Sequence, residues 1–262
     1  MGEEMALLVL DTATEVLAVG LTETLQTIDL PQGEPSVLLT STSRVPRRHS
    51  VLLQPMMSGM LKAANQEPGE LRGIVVGVGP GSYTGVRLGV STAKAMAFAL
   101  QIPLYPISTL FAMAAAALPA PTDVTQRVIS LLYARRQRAF GAVFEKQGKT
   151  WVRLTEDRVQ SLAEWSEECG RLDDTRGVGR TVVVHDFRPQ YGLEEHLNDL
   201  RTDSSLSLAQ IAGLLPQGLV QLWADGQSRP ITGDDIHLVE PGYALPVEAE
   251  VKLKEAKVHG DK

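Results

Sequence analysis

The run Gly77-Val-Gly-Pro-Gly-Ser-Tyr-Thr-Gly-Val-Arg-Leu-Gly89 is the stretch of this chain best suited to chemistry. Glycines between a strand and a helix allow a tight turn whose backbone N–H groups face an anion at the helix N-terminus. The standard phosphate patterns are nevertheless missed. A Walker A loop needs Gly-Lys-Ser/Thr, and Gly85 is followed by Val86 and Arg87. The dinucleotide pattern G-x-G-x-x-G fails at its last glycine, where Ser82 stands. Gly81, Ser82, Thr84 and Gly85 are therefore candidate nucleotide contacts, while Gly85 and Gly89, four apart, equally suit a helix lying close on a sheet.

Asp11 joins that candidate nucleotide set. It closes an apolar run ahead of Thr12 and Thr14, where a carboxylate could hold a metal–phosphate water or simply cap a turn. The matching turn in the second half, Leu132-Tyr133-Ala134-Arg135, carries no carboxylate, so a paired-aspartate phosphotransfer site is half missing. His49 has no second histidine three to five residues away, His185 and Asp186 are adjacent, and His196 has no evident mate. Cys169 lies among Glu164, Glu167 and Glu168, whose charges disfavour a thiolate. Arg135, Arg136 and Arg138 form a basic cluster that is either a solvated hairpin end or an anion contact. No nucleophile–base–orienter set emerges, and neither a catalytic residue nor a metal ligand is assigned.

These groups must be positioned by an α/β framework. Met5–Leu10 and Glu15–Leu21 read as a hairpin, its first strand continuously apolar and so covered on both faces. Further strands are expected at Val37–Thr42 and Ile74–Val78, with helices over Val51–Ala64 (Ser50 as N-cap) and Thr84–Leu100. Pro103 and Pro106 end that unit, and Ser108–Leu118 is an Ala-rich helix. Val128–Tyr133 and Ala139–Glu145 then repeat the opening arrangement, which is how an internal duplication reads. Thr181–Val184 gives one more buried strand and Ser207–Ala224 another helix. Two α/β lobes are expected, 1–106 and 107–247, followed by a charged tail, 248–262.

Two helices are more apolar than a surface helix should be. Between Gly85 and Leu100 the only charges are Arg87 and Lys94. In the preceding helix Leu52, Met56, Met60, Ala64, Leu53, Met57 and Leu61 fill an arc of about 180°, where a core-facing stripe needs only roughly 100°. A generous core with methionine as filler would explain this; so would an adaptable docking surface. The candidate partner interface comprises His49, Leu52, Leu53, Met56, Met57 and Met60, with Tyr83, Arg87, Val90 and Lys94 from the second helix.

Composition narrows the classes further. The 262 residues hold 25 Lys+Arg against 31 Asp+Glu, a net charge of −6, with 44% apolar residues and only 5% aromatic. An acidic, aromatic-poor chain is a poor free-standing nucleic-acid binder. A single cysteine excludes an internal disulfide and fits a reducing cytoplasm. Met1-Gly2-Glu3-Glu4 lacks a basic signal-peptide start, and no run of about 18 apolar residues occurs, so a cytoplasmic protein without membrane contact is expected.

Leu8-Val-Leu-Asp-Thr-Ala-Thr14, Arg48-His-Ser-Val-Leu-Leu-Gln-Pro55, Val76–Gly89, Ala93-Lys-Ala-Met-Ala97 and Pro106-Ile-Ser-Thr-Leu110 together resemble the bacterial TsaB (YeaZ) family across the first lobe. Ala134-Arg135, Pro241-Gly-Tyr-Ala244 and Glu248-Ala-Glu250 extend the likeness, whereas Tyr133 and His185 replace the family's usual aspartate and glycine. The resemblance implies two actin-like (ASKHA, ribonuclease-H-like) lobes. It also implies a role in forming N6-threonylcarbamoyladenosine at position 37 of ANN-decoding tRNAs. A TsaB-like protein is there a non-catalytic paralogue of the metal-bearing transferase TsaD, which it binds and activates through first-lobe helices. A TsaE-type ATPase joins the pair, and a homodimer through the same helices competes with it. tRNA is engaged indirectly, the isolated chain needs no cofactor, and ATP or ADP is a candidate ligand of the complex. The alternative is an ASKHA-class ATPase or M22-like peptidase using Asp11 and the Gly77–Gly89 loop.

Overall fold

The computed structural model describes residues 4–22, 25–26, 36–173, 179, 181–188 and 204–242; the tail beyond 247 and His196 lie outside them. Strand β1 (Glu4–Asp11) pairs antiparallel with β2 (Leu17–Thr22), and β2 with β4 (Val37–Ser43). On its other side β1 runs parallel to β5 (Leu71–Gly77), which is followed by β6 (Leu104–Ile107); the short β3 (Leu25–Gln26) extends the start of β1. The order is β4-β2-β1-β5-β6. Leu7, Leu8, Val9 and Leu10 are all fully buried, as the unbroken apolar run of a doubly covered central strand requires. Pro106 does not end the unit as expected. It sits in β6 at the sheet edge, where proline is tolerated because no central ladder bond is lost.

The second sheet repeats the five-strand path of the first. β7 (Thr122–Tyr133) is antiparallel to β8 (Arg138–Gly148), β8 to β10 (Arg158–Ser161), and β7 is parallel to β11 (Thr181–His185), which is parallel to β12 (Ser204–Ser207). Its order, β10-β8-β7-β11-β12, with β9 (Thr150–Arg153) beside β8, matches the first in direction and sequence. The duplication read from apolar and polar blocks is thus a duplication of topology, and the fold is two actin-like, ribonuclease-H-like lobes. The central strand of each lobe ends in a hairpin turn, at Asp11 and at Tyr133.

Helices α1 (His49–Ala63) and α2 (Tyr83–Leu100) cover the outer face of the first sheet, and α4 (Leu162–Asp173) packs against β10, outside the second. Between the sheets lie α3 (Thr109–Ala117) and α6 (Leu215–Ala224), and α6, which falls within the expected second lobe 107–247, crosses to the first sheet. α3 packs on β7, β8 and β11, whereas α6 packs on β1, β2 and β5. Gly218 permits the close crossing, because a Cβ there would meet the Ala112 carbonyl and the Ala116 backbone. The composition of α3 follows from its place: residues Thr109 to Ala116 are all buried, so the helix has no polar face and is mostly alanine. Phe111 stacks on Phe144 at 4.3 Å between centroids, and one apolar layer joins both sheets. The helix expected over 207–224 is interrupted. α5 (Leu208–Ile211) gives way to a 3-10 turn at Ala212–Leu214, and Pro216 then occupies the first turn of α6. No helix among the described residues is long and apolar enough to cross a membrane.

Candidate functional site

The glycine run proves to be a packing seam. Cβ atoms at Gly81, Gly85 and Gly89 would strike the Ala13 carbonyl, the Thr12 carbonyl and the Thr12 hydroxyl respectively. Gly81, just before the N-cap, and Gly85 and Gly89 on α2 thus form a groove in which the β1–β2 turn beds. Hydrogen bonds close the seam: Ser82 N–H donates to Ala13 O at 2.6 Å and the Thr12 hydroxyl to Gly85 O at 2.6 Å. Ser82 is the N-cap, accepting from Gly85 N–H at 3.4 Å. Two of the N–H groups a phosphate cradle would need are therefore already engaged.

Asp11 is fully buried and does not reach the cleft, which corrects the expectation that it contacts a nucleotide. Its Oδ1 accepts from Ala13 N–H at 2.8 Å and its Oδ2 from the Thr109 hydroxyl at 2.7 Å. Thr109 Oγ1 in turn accepts from Gly79 N–H at 3.1 Å. The carboxylate thereby ties the β1–β2 turn, the loop before α2 and the start of α3 together, and no sequence signal marked Thr109 as its partner. Burial pushes the Asp11 carboxyl up to about 6, with the hydrogen bonds from Thr109 and Ala13 opposing. The folded state therefore binds the extra proton between about pH 4 and 6, and this group's contribution to stability falls as pH rises through that window. His185, buried at the end of β11, is pushed down to about 4 by burial, so its contribution rises from pH 4 to 6.5. Asp11→Asn removes only the first effect. The difference in melting temperature, variant minus wild type, is expected to grow from pH 4 to 7; parallel curves would show that Asp11 does not titrate there.

The candidate interface divides by burial. Leu53, Met57, Met60 and Val90 are at most 5% exposed and belong to the core between the helices and the first sheet. They are corrected from interface to core. The wide apolar arc of α1 serves two purposes: i, i+4, i+7 and i+8 (Leu53, Met57, Met60, Leu61) face the sheet, while Leu52 and Met56 on the flank are half-buried. The helix starts one residue before the expected cap, at His49, with Arg48 as an N-cap that offers no side-chain hydrogen bond. His49 Nε2 lies 3.1 Å from Thr14 O, so it clamps α1 to the β1–β2 turn, and burial lowers its pKa. Lys94 donates to the carbonyls of His237 and Val239 at 2.7 and 2.9 Å, holding the returning C-terminal segment on α2. Tyr83 and Arg87 remain outside, the guanidinium 4.0 Å above the ring. Val51, which sequence reasoning passed over, is 54% exposed at the first turn of α1.

A cleft of about 1190 Å³ opens between the two lobes where the duplicated hairpin turns, Thr12–Glu15 and Leu132–Arg135, face each other. Gly81, Ser82, Thr84 and Gly85 line it. Glu15 and Arg188 form an ion pair across it. On the second-lobe side Asp186 accepts from Tyr133 N–H at 2.7 Å, and burial pushes its carboxyl up to about 6. Asp186 thus fastens the turn in which Tyr133 stands where the first lobe has Asp11.

Comparison with known proteins agrees with this geometry. The family model for TsaD, tRNA N6-adenosine threonylcarbamoyltransferase, matches residues 42–174. The tRNA threonylcarbamoyladenosine biosynthesis protein TsaB of Bacillus subtilis is 27% identical over 255 residues, 97% of this chain and 100% of that one. TsaB of Escherichia coli is 28% identical over 173 residues, covering 62% of this chain and 69% of its own. The structure of YeaZ from Pseudomonas aeruginosa superimposes with a TM-score of 0.63 at 24% identity, over 93% of this chain and 99% of that one, which shows the shared fold. With a family model spanning half of its length and TsaB relatives aligned along it, the chain belongs to the TsaB (YeaZ) family.

Proposed function

We propose that this chain is a non-catalytic scaffold in tRNA threonylcarbamoyladenosine biosynthesis, docking and activating a TsaD-type transferase through the solvent face of α1 and α2. Membership of the TsaB family supports the pathway. The observation that carries the docking face is the apolar surface left over once the core is filled. Val51 is 54% and Tyr83 44% exposed, with Leu52, Met56 and Leu88 half-buried on the same two helices. Apolar and aromatic groups of this kind, bordered by Arg87, are what a protein interface uses. The burial of Asp11 behind Thr109 and Ala13 weighs against an ATPase or peptidase built on it. On this reading a second copy of the chain competes for the same face, and a TsaE-type ATPase joins the heterodimer. ATP or ADP would be held by the complex rather than by the chain alone, and most contact with tRNA falls to the partner.

The test is co-elution with a TsaD-type protein. Val51→Asp with Met56→Asp is expected to weaken association by about 100-fold or more, an effect of ~3 kcal/mol, with circular dichroism unchanged. A complex that survives this change at wild-type affinity would place the interface elsewhere.

A further inference from the structure

The inter-lobe cleft is basic in an acidic protein. Arg44 and Arg47, from the loop before α1, and Arg135, from the β7–β8 turn, line it; all three are exposed, and none is ion-paired with another described residue. Arg188, tied to Glu15, is a fourth. Tyr83, Tyr133 and Phe140 stand among them, so a chain with only 5% aromatic residues places three along one groove. A second, independent observation comes from the backbone. Arg47 and Arg135 both adopt left-handed conformations, at φ 58° and 64°, and Arg136 and Gln137 continue the second at 52° and 53°. Such conformations cost free energy in any residue with a Cβ, and Asn, Asp or Gly would fill the turns at less cost. At both places arginine stands at the rim of the same cleft.

From this juxtaposition of arginines, two of them in left-handed conformations at the rim, and aromatic rings we infer that the cleft binds single-stranded RNA. Arginine neutralises phosphates and rings stack on bases, the combination by which single strands are held without sequence preference. A free nucleoside triphosphate fits less well. It wants a compact nest of backbone N–H groups, and here Ser82 and Gly85 N–H are already spent on Ala13 O and Ser82 Oγ. The cations are instead distributed around a cleft of about 1190 Å³, from the loop before α1 and from the second lobe, as a phosphate backbone requires. The cleft shares Tyr83 and Leu88 with the proposed docking face, and the inference concerns the chain without a transferase bound. It assigns the chain a minor, local share of RNA contact.

The experiment is fluorescence anisotropy with the full chain and a labelled oligoribonucleotide of about twelve residues. The wild type is expected to bind with an affinity that falls with salt, by roughly 0.7 in log–log slope for each phosphate contacted. Arg47→Gly with Arg135→Gly removes two charges and relieves both left-handed positions. It is expected to weaken binding at least about tenfold, with a melting temperature equal to or above that of wild type. Arg72→Glu, an exposed change outside the cleft, is expected to leave affinity unaltered. Absence of binding by the wild type, wild-type affinity in the double variant, or displacement of the RNA by ATP at equal concentration would each overturn the inference.

Discussion

Met57→Asp is expected to unfold the chain, and Met56→Asp, one residue earlier, to leave it folded. Met57 is 3% exposed and packs in the core between α1 and the first sheet, whereas Met56 is half-buried on the flank. Putting a carboxylate in the Met57 site costs several kcal/mol, through desolvation or forced protonation and the lost packing of the thioether. Whole domains are stable by only ~5–15 kcal/mol. Urea unfolding monitored by circular dichroism separates the two: little or no cooperative transition for Met57→Asp, a midpoint near wild type for Met56→Asp. Equal behaviour would mean that α1 presents a different face to the sheet. The contrast also governs how the docking face can be tested, since a variant at Met57 or Met60 would lose the partner by losing the fold.

Gly85→Ala carries the second large effect. The added Cβ would overlap the Thr12 carbonyl, a backbone atom that cannot swing away, and the Thr12 hydroxyl bond to Gly85 O would be strained with it. Overpacking against backbone and a weakened buried hydrogen bond together are expected to cost ~2–4 kcal/mol. Gly59 in α1 is the control, because a Cβ there meets nothing within 4 Å. Gly59→Ala is expected to stabilise by ~0.4–1 kcal/mol through helix propensity and a less free unfolded chain. Were the glycine run a phosphate cradle rather than a seam, Gly85→Ala would keep its stability and lose a ligand instead. Chemical denaturation of the two variants decides between these.

Much of the framework was legible in the residues. The unbroken apolar run of β1 and the strand–turn–strand repeat at 128–144 are local patterns with local causes, and these elements formed where their patterning placed them, whereas the caps did not follow: Arg48 stands where Ser50 was expected, and Ser82 and Ser108 cap α2 and α3 unannounced. What failed did so where a neighbour decided. Pro106 reads as a terminator until an edge position makes its missing N–H harmless, and 207–224 reads as one helix until Pro216 and a 3-10 turn divide it.

The same division runs through the functional residues. By itself the sequence determined the doubled α/β plan, the family, and two helices too apolar for solvent, because composition and spacing set those directly. Tertiary structure alone decided which methionines are core and which are flank, since a helical arc of about 180° shows how much apolar surface exists but not where the sheet lies beneath it. It decided that Asp11 is a buried tie to Thr109, ninety-eight residues away in the chain, and that Gly81, Gly85 and Gly89 are spaces for a turn. It also brought Arg44, Arg47, Arg135 and Arg188 to one cleft from segments that no periodicity links. Burial and charge convergence depend on contacts between distant residues, and those exist only once the two sheets have closed on the helices between them.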